Sequence, residues 1–189
     1  MIDTAMKFLV REVNSYLLGR TGSSFGEVEM GRLVDDAGKG AIKENHVGAA
    51  LVNVEEERTL KSQLPETVLV NGSHVVLEPA LKLNLHVLFA ASFQQYDQAL
   101  HYLSHVITFF QARPCFTQDR YPDLDARIQR LTAELLPLGY EQLNQLWAFI
   151  GGKHLPSAVY RMRLVTLQDA EPAAVQPPIT SVAAEVHSR

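Results

Sequence analysis

Apolar residues recur at helical spacing from the start of the chain. Ile2, Ala5, Met6, Leu9, Val10, Val13, Tyr16 and Leu17 share one face, and Gly19 and Gly22 follow where such a helix stops. The pattern predicts an amphipathic helix over 3–18, with Lys7, Arg11, Glu12 and Asn14 on a solvated side and Lys7 and Arg11 unpaired with acids. A Gly/Ser-rich turn over 21–26 leads into Val28, Met30 and Leu33, a weak strand, and then into an exposed loop over 35–40. Between Val47 and Glu57 the period becomes two. Ala50, Val52 and Val54 fall on one face of a strand, Leu51 and Asn53 on the other, and Glu55, Glu56 and Glu57 form its acidic end.

Thr67 to Leu77 reads as a hairpin, because Asn71-Gly72 supplies the positive φ angles of a two-residue turn. Leu81, Leu83, Leu85, Val87 and Phe89 then alternate with Lys82, Asn84, His86, Leu88 and Ala90, as expected of a strand with one face on a helix. Tyr96, Leu100, Leu103, Ile107 and Phe110 step at helical spacing over 94–111, and Pro114 ends the helix. The segment 127–138 fits a strand through Leu131, Ala133 and Leu135 and a helix through Ile128, Leu131 and Leu135; the strand is preferred because a short helix follows directly, over 140–150. A last strand spans 158–167, with Tyr160, Met162, Leu164 and Thr166 on one face and Arg161 and Arg163 on the other. Beyond Gln168 the segment 169–189, with Pro172, Pro177 and Pro178, reads as an extended or disordered tail. The fold class is α+β: a mostly antiparallel sheet packed by two or three amphipathic helices in one domain over 1–168.

Composition narrows the function. The chain has 189 residues, 47% of them hydrophobic, which is enough for a core. Seventeen Lys and Arg against twenty-one Asp and Glu give 17 − 21 = −4, without the cationic excess that nucleic-acid binding needs. No apolar stretch is long enough to span a membrane, and the start lacks the features of a signal peptide, so a product made in the cytoplasm is expected. The single cysteine, Cys115, has no internal disulfide partner and reads as a partly buried small apolar residue.

Catalytic patterns are sparse. His101 and His105 lie four apart on a predicted helix and present two metal ligands without a third, so histidines beside the core are the preferred reading. Neither Gly38-Lys39 nor Gly152-Lys153 belongs to a phosphate loop, and no serine sits in a nucleophile elbow. Asp119, Asp123 and Asp125 do not match a calcium loop and read as a solvated acidic turn. Asn71-Gly72-Ser73 reads as a turn, and Glu55 to Glu57 as a solvated strand end. No catalytic, cofactor-binding or metal residue is assigned, and the chain reads as a non-enzymatic building block.

Three strings carry a resemblance: the start Met1-Ile2-Asp3-Thr4-Ala5-Met6-Lys7-Phe8-Leu9, the strand from Leu81 to Ala91, and Leu143-Asn144-Gln145-Leu146-Trp147 continuing to Pro156-Ser157-Ala158-Val159-Tyr160-Arg161-Met162-Arg163. Over 1–168 the chain resembles the cap or tail-terminator proteins of extracellular contractile injection systems, the phage-tail-like particles of the antifeeding-prophage and virulence-cassette type. The resemblance implies a homo-oligomeric ring, expected to be a hexamer, on the terminal inner-tube ring and terminal sheath ring, where it ends polymerisation. It implies no catalytic residue, no cofactor, no nucleic acid and no membrane partner, and the particle it joins can be released from the cell. Arg161, Arg163 and the 169–189 tail are the expected contact surfaces. A different tube-end or baseplate adaptor is the alternative within the assembly class, and a metal- or ligand-binding protein built on His101 and His105 the alternative outside it.

Overall fold

Helix α1 (Ile2–Thr21) buries Ala5, Met6, Phe8, Leu9, Val13 and Leu17, the stripe its spacing predicts. It runs through Gly19 and stops at Gly22, whose φ of 67° lets its N–H reach the Leu18 carbonyl at 2.9 Å. Its outer side corrects the expectation of unpaired cations. Lys7 Nζ lies 3.5 Å from Asp3, and Arg11 reaches Asp123 at 3.5 Å and Glu12 at 3.8 Å. A computed structural model describes residues 1–57, 66–70, 73–77, 82–166 and 174–176.

The remaining elements are β1 (Val28–Met30), β2 (His46–Glu56), β3 (Glu66–Val70), β4 (Ser73–Leu77), β5 (Lys82–Ser92), α2 (Tyr96–Ala112), β6 (Cys115–Phe116), β7 (Ile128–Leu135), α3 (Tyr140–Ile150), β8 (Ser157–Thr166) and β9 (Ala174–Gln176). One sheet runs in the order β1-β2-β5-β8-β7-β6, antiparallel except for β1 beside β2. The architecture is the expected α+β class, and the ambiguous 127–138 segment resolves as strand β7. The predicted hairpin appears as β3 and β4, paired from Val70↔Ser73 to Glu66↔Leu77, while Asn71 and Gly72 lie outside the described residues. Ala174 to Gln176, within the expected tail, pair with β4 as a third strand.

Strand β5 was expected to have one apolar face, and it is buried on both. Leu85, Val87, Phe89 and Ala91 join the main core with α1 and α2. Leu88 and Ala90, on the other face, join Leu33, Trp147 and Val159 in a second cluster, flanked by Val34 and Ile42 from the 31–45 loop and by Leu143, Leu146 and Ile150 from α3. The sheet is therefore covered twice: by two long helices on one face, and by α3 and a loop on the other. The tip of that loop, 35–40, is exposed as predicted but tied down, because the Asp35 carboxylate accepts the Ala37 and Lys39 N–H groups at 2.9 and 2.8 Å.

Two other faces differ from expectation. The register of β2 on β5 shifts between Leu51 and Asn53, so Val52 is the extra residue of a bulge. Ala50 then lies opposite Leu88 but Val54 opposite Leu85, which throws Val54 to the other face of the sheet from Ala50. In α2 the buried stripe is Ala99, Tyr102, Leu103, Val106, Phe109 and Phe110, whereas Tyr96 and Leu100 are exposed. The helix is rotated so that Phe110 meets Phe89 at 5.4 Å and Tyr160 at 4.6 Å between ring centroids, and burial pushes the Tyr160 hydroxyl up to about 12.

The Tyr102 ring stacks on Phe93, with centroids 5.0 Å apart and planes 13° apart, and closes over Gly26. Gly26 has φ +80°, and a Cβ there would collide with the Tyr102 ring. Gly26→Ala is expected to lower stability by about 2–4 kcal/mol, combining left-handed strain with displacement of a core ring. Chemical denaturation of the two proteins checks this, and a loss under about 1 kcal/mol would contradict the closeness of that contact.

Candidate functional site

Among the described residues, one edge of the six-stranded sheet has no partner strand along most of its length. β1 covers β2 only from Val47 to Ala49, and Gly31 N–H adds one bond to the Ala49 carbonyl at 3.2 Å. From Ala50 to Glu56 β2 has β5 on one side and, among the described residues, no strand on the other. Leu51 and Val54 on this stretch are 39% and 41% exposed, which makes a long edge with apolar side chains. The opposite edge is closed differently: β6 contributes two residues, Pro114 accepts the Ala133 N–H at 2.8 Å, and Asp125 accepts the Ile128 N–H at 2.8 Å.

Where the second cluster ends, the same face of the sheet turns polar. Direct register partners form two rows across β2, β5, β8 and β7: Asn53, His86, Arg161 and Glu134 in one, Glu55, Asn84, Arg163 and Thr132 in the next. Arg161 gives its Nη2 to Glu134 at 2.7 Å and its Nε to the same oxygen at 3.3 Å. Asn53 donates to Glu55 at 2.8 Å, with His86 Nε2 3.7 Å from the other Glu55 oxygen. Asn84, 6% exposed, donates from Nδ2 to Glu57 at 3.2 Å. Asn84 Oδ1 and Arg163 Nε are buried and make no hydrogen bond.

Both expected interface arginines thus lie on one polar face, in different states: Arg161 is neutralised within the chain and Arg163 is not. Glu134 and Asn84 escaped the sequence reading. The signal for Glu134 is its outward position between Ala133 and Leu135, opposite an arginine on the neighbouring strand.

His101 and His105 do meet, with Nε2 atoms 3.1 Å apart on the exposed side of α2, and burial together with the neighbouring His101 lowers the His105 pKa. Among the described residues no group of three or more His, Cys, Asp and Glu side chains is placed to hold a metal ion. Cys115 is half-buried. An open cleft of about 360 Å³ between β1 and the 31–45 loop is lined by Glu29, Met30, Arg32, Ile42 and Lys43, and a 2.9 Å Lys43–Glu29 ion pair joins two of its walls. No helix of the described residues is long and apolar enough to cross a membrane.

In the acidic turn Asp119 and Asp123 are exposed as expected, whereas Asp125 is held by hydrogen bonds. Asp125 accepts from Thr4 Oγ1 at 3.0 Å and from Arg127 through its main-chain N–H at 2.9 Å and its guanidinium at 2.7 Å. The Arg127 side-chain hydrogen bond is the largest cause holding this carboxyl well below the usual carboxylate range.

Compared with known proteins, the family model described as the Pvc16 N-terminal domain matches residues 4–181. Among solved structures, the chain is similar to the sheath/tube terminator of the PVC extracellular contractile injection system in its extended state, with a TM-score of 0.61 and 16% identity over 95% of this chain and 64% of that one. It is also similar to the anti-feeding prophage cap, the AFP tube terminating cap, with a TM-score of 0.62 and 16% identity over 98% of this chain and 60% of that one. The chain therefore spans about three fifths of the length of either. No curated protein sequence matches it.

The Asp125 cluster makes a pH-dependent prediction. A carboxyl whose folded pKa is depressed contributes stability fully above its unfolded pKa, near 4, and loses that contribution as pH falls through the folded value. Asp125→Asn is expected to cost about 1–3 kcal/mol at pH 7, the range for hydrogen bonds to a charged group. The gap to the parent should narrow on acidification below about pH 4. Thermal melts from pH 7 to pH 2 check both, and a gap constant with pH would refute the assignment.

Proposed function

The chain belongs to the Pvc16 N-terminal domain family, and from that premise we propose that it is a structural, non-enzymatic terminator subunit of a contractile injection particle. The subunits form a ring, a hexamer in this reading, that sits on the last inner-tube ring and the last sheath ring, ends polymerisation and stabilises the sheath. Residues 1–168 make the terminator domain and 169–189 an appended contact segment. The fold likeness to a sheath/tube terminator and a tube terminating cap supports this reading.

The observation that carries it is the unequal pair of sheet edges. An end-piece must join what lies beneath it and give nothing for a further layer to join. The Ala50–Glu55 edge, which has no partner strand among the described residues and exposes Leu51 and Val54, suits the joining role: an extended strand from the last sheath ring adds to β2 through main-chain hydrogen bonds. The β6 side, two residues long and tied to Pro114 and Asp125, suits the other.

Deleting the gene is expected to give particles of uncontrolled length or with loosened sheath in electron micrographs; a complete loss of particles would assign the chain to the baseplate instead. Val54→Lys should alter folding stability by less than about 0.5 kcal/mol, as exposed substitutions do. It should also reproduce the deletion phenotype, because charge on an edge strand opposes strand addition. Normal particle length with Val54→Lys would exclude the β2 edge as the joining surface.

A further inference from the structure

His101 and His105 stand four residues apart on α2, the spacing that brings two side chains together on one helix face. That face meets solvent, with His101 exposed and His105 half-buried. The two rings are nearly perpendicular, with centroids 4.5 Å apart and planes at 82°, and their Nε2 atoms converge to 3.1 Å. In the free chain one Nε2–H donates a hydrogen bond to the other Nε2. Neither Nδ1 is hydrogen-bonded among the described residues, so each neutral ring can carry its one proton there and leave its Nε2 lone pair free.

Distance decides what two such lone pairs can hold. Nitrogens bound to one zinc-sized ion at about 2.05 Å lie roughly 2.9 Å apart when the bonds meet at a right angle and roughly 3.4 Å apart at the tetrahedral angle. The separation of 3.1 Å falls inside that range, so the rings need only turn and the helix need not move. Imidazole suits zinc, nickel and copper, whereas magnesium and calcium take oxygen ligands.

We propose that His101 and His105 form a two-histidine chelate for a divalent transition ion of the zinc, nickel and copper class, with water in its remaining positions. Among the described residues no further His, Cys, Asp or Glu joins them to make a set of three, so the ion is held by two side chains and leaves readily. Arg20, at the end of α1, acts electrostatically on His105 and repels the ion, which weakens the site without blocking it. The spacing exists only where α2 is helical. The ion therefore ties down one turn of the helix that carries Phe109 and Phe110 into the core, and it binds the folded chain in preference to the unfolded one. The site does not depend on the ring reading above.

Calorimetric titration of the full chain with Zn²⁺ and with Ni²⁺ in a non-chelating buffer, paired with melting curves, tests it. One ion per chain is expected, with a raised melting temperature and no response to Mg²⁺. His101→Ala and His105→Ala should each weaken binding about tenfold or more, because a single imidazole loses the benefit of a second ligand already in place. His154→Gln, remote on the chain from the pair, should change nothing. Arg20→Gln keeps both ligands and should bind about twofold tighter at low salt, a gain that no folding defect produces. Affinity unchanged by either alanine variant overturns the proposal, as does an equal loss in His154→Gln. So does a melting temperature that saturating Zn²⁺ fails to raise.

Discussion

Burial of β5 on both faces is the constraint on which the rest of the molecule depends. Leu85, Val87, Phe89 and Ala91 need a cover on one side, and Leu88 and Ala90 need one on the other. Two long helices meet the first requirement, and fully buried Phe109 and Phe110 of α2 pack with Phe89 of β5 and Phe116 of β6, each phenylalanine worth about 3–5 kcal/mol on truncation to alanine. The second requirement explains the two elements that looked least structured or least necessary. The short helix α3 inserts Trp147 and the 31–45 loop inserts Leu33, so a loop of polar composition is anchored by its apolar ends. At Gly48 a Cβ would lie 2.7 Å from Ile42 and 2.9 Å from Leu33, which shows how closely that cover sits on β2.

The cover is shorter than the strand, and the polar end of the sheet follows from that. Past Leu88 toward the start of β5 the residues on this face become His86 and Asn84, and their neighbours on either side become polar or charged: Asn53 and Arg161, then Glu55 and Arg163. Sheet pairing then sets the electrostatics. A glutamate two strands from a histidine and one strand from an arginine neutralises the arginine, while the next arginine finds only Asn84 and Thr132 beside it. Equivalent residue types in adjacent rows end in opposite states.

Most elements were legible because their apolar periods are long. The stripe from Ile2 to Leu17 and the alternation from Leu81 to Phe89 are self-evident, and the 140–150 helix is bounded by Gly139 and Gly151. Failures occurred where a single residue breaks the period. Nothing in Leu51-Val52-Asn53 announces a bulge, since any of the three can be the extra residue, and the error moved Val54 to the wrong face. The α2 stripe was misread because Tyr96 and Leu100 are apolar enough to pass for core while Tyr102 and Phe109 complete an equally good stripe a fraction of a turn away. The candidate surface was half legible. Arg161 and Arg163 stand out on β8, but their differing states depend on Glu134, Asn84 and Glu57, which reach them or each other only through tertiary pairing.

The bulge at Val52 has a consequence for how copies of the free chain meet one another. A flat edge without a partner strand is a template for its own kind, and copies of a chain that carried one would pair edge to edge into unlimited ribbons. The added residue increases the local twist and puts the apolar pair Leu51 and Val54 out of step with a straight, regular strand. Two such edges cannot lie flush along their length, whereas a partner strand shaped to the same kink can. One inserted residue thereby turns the edge away from its own twin.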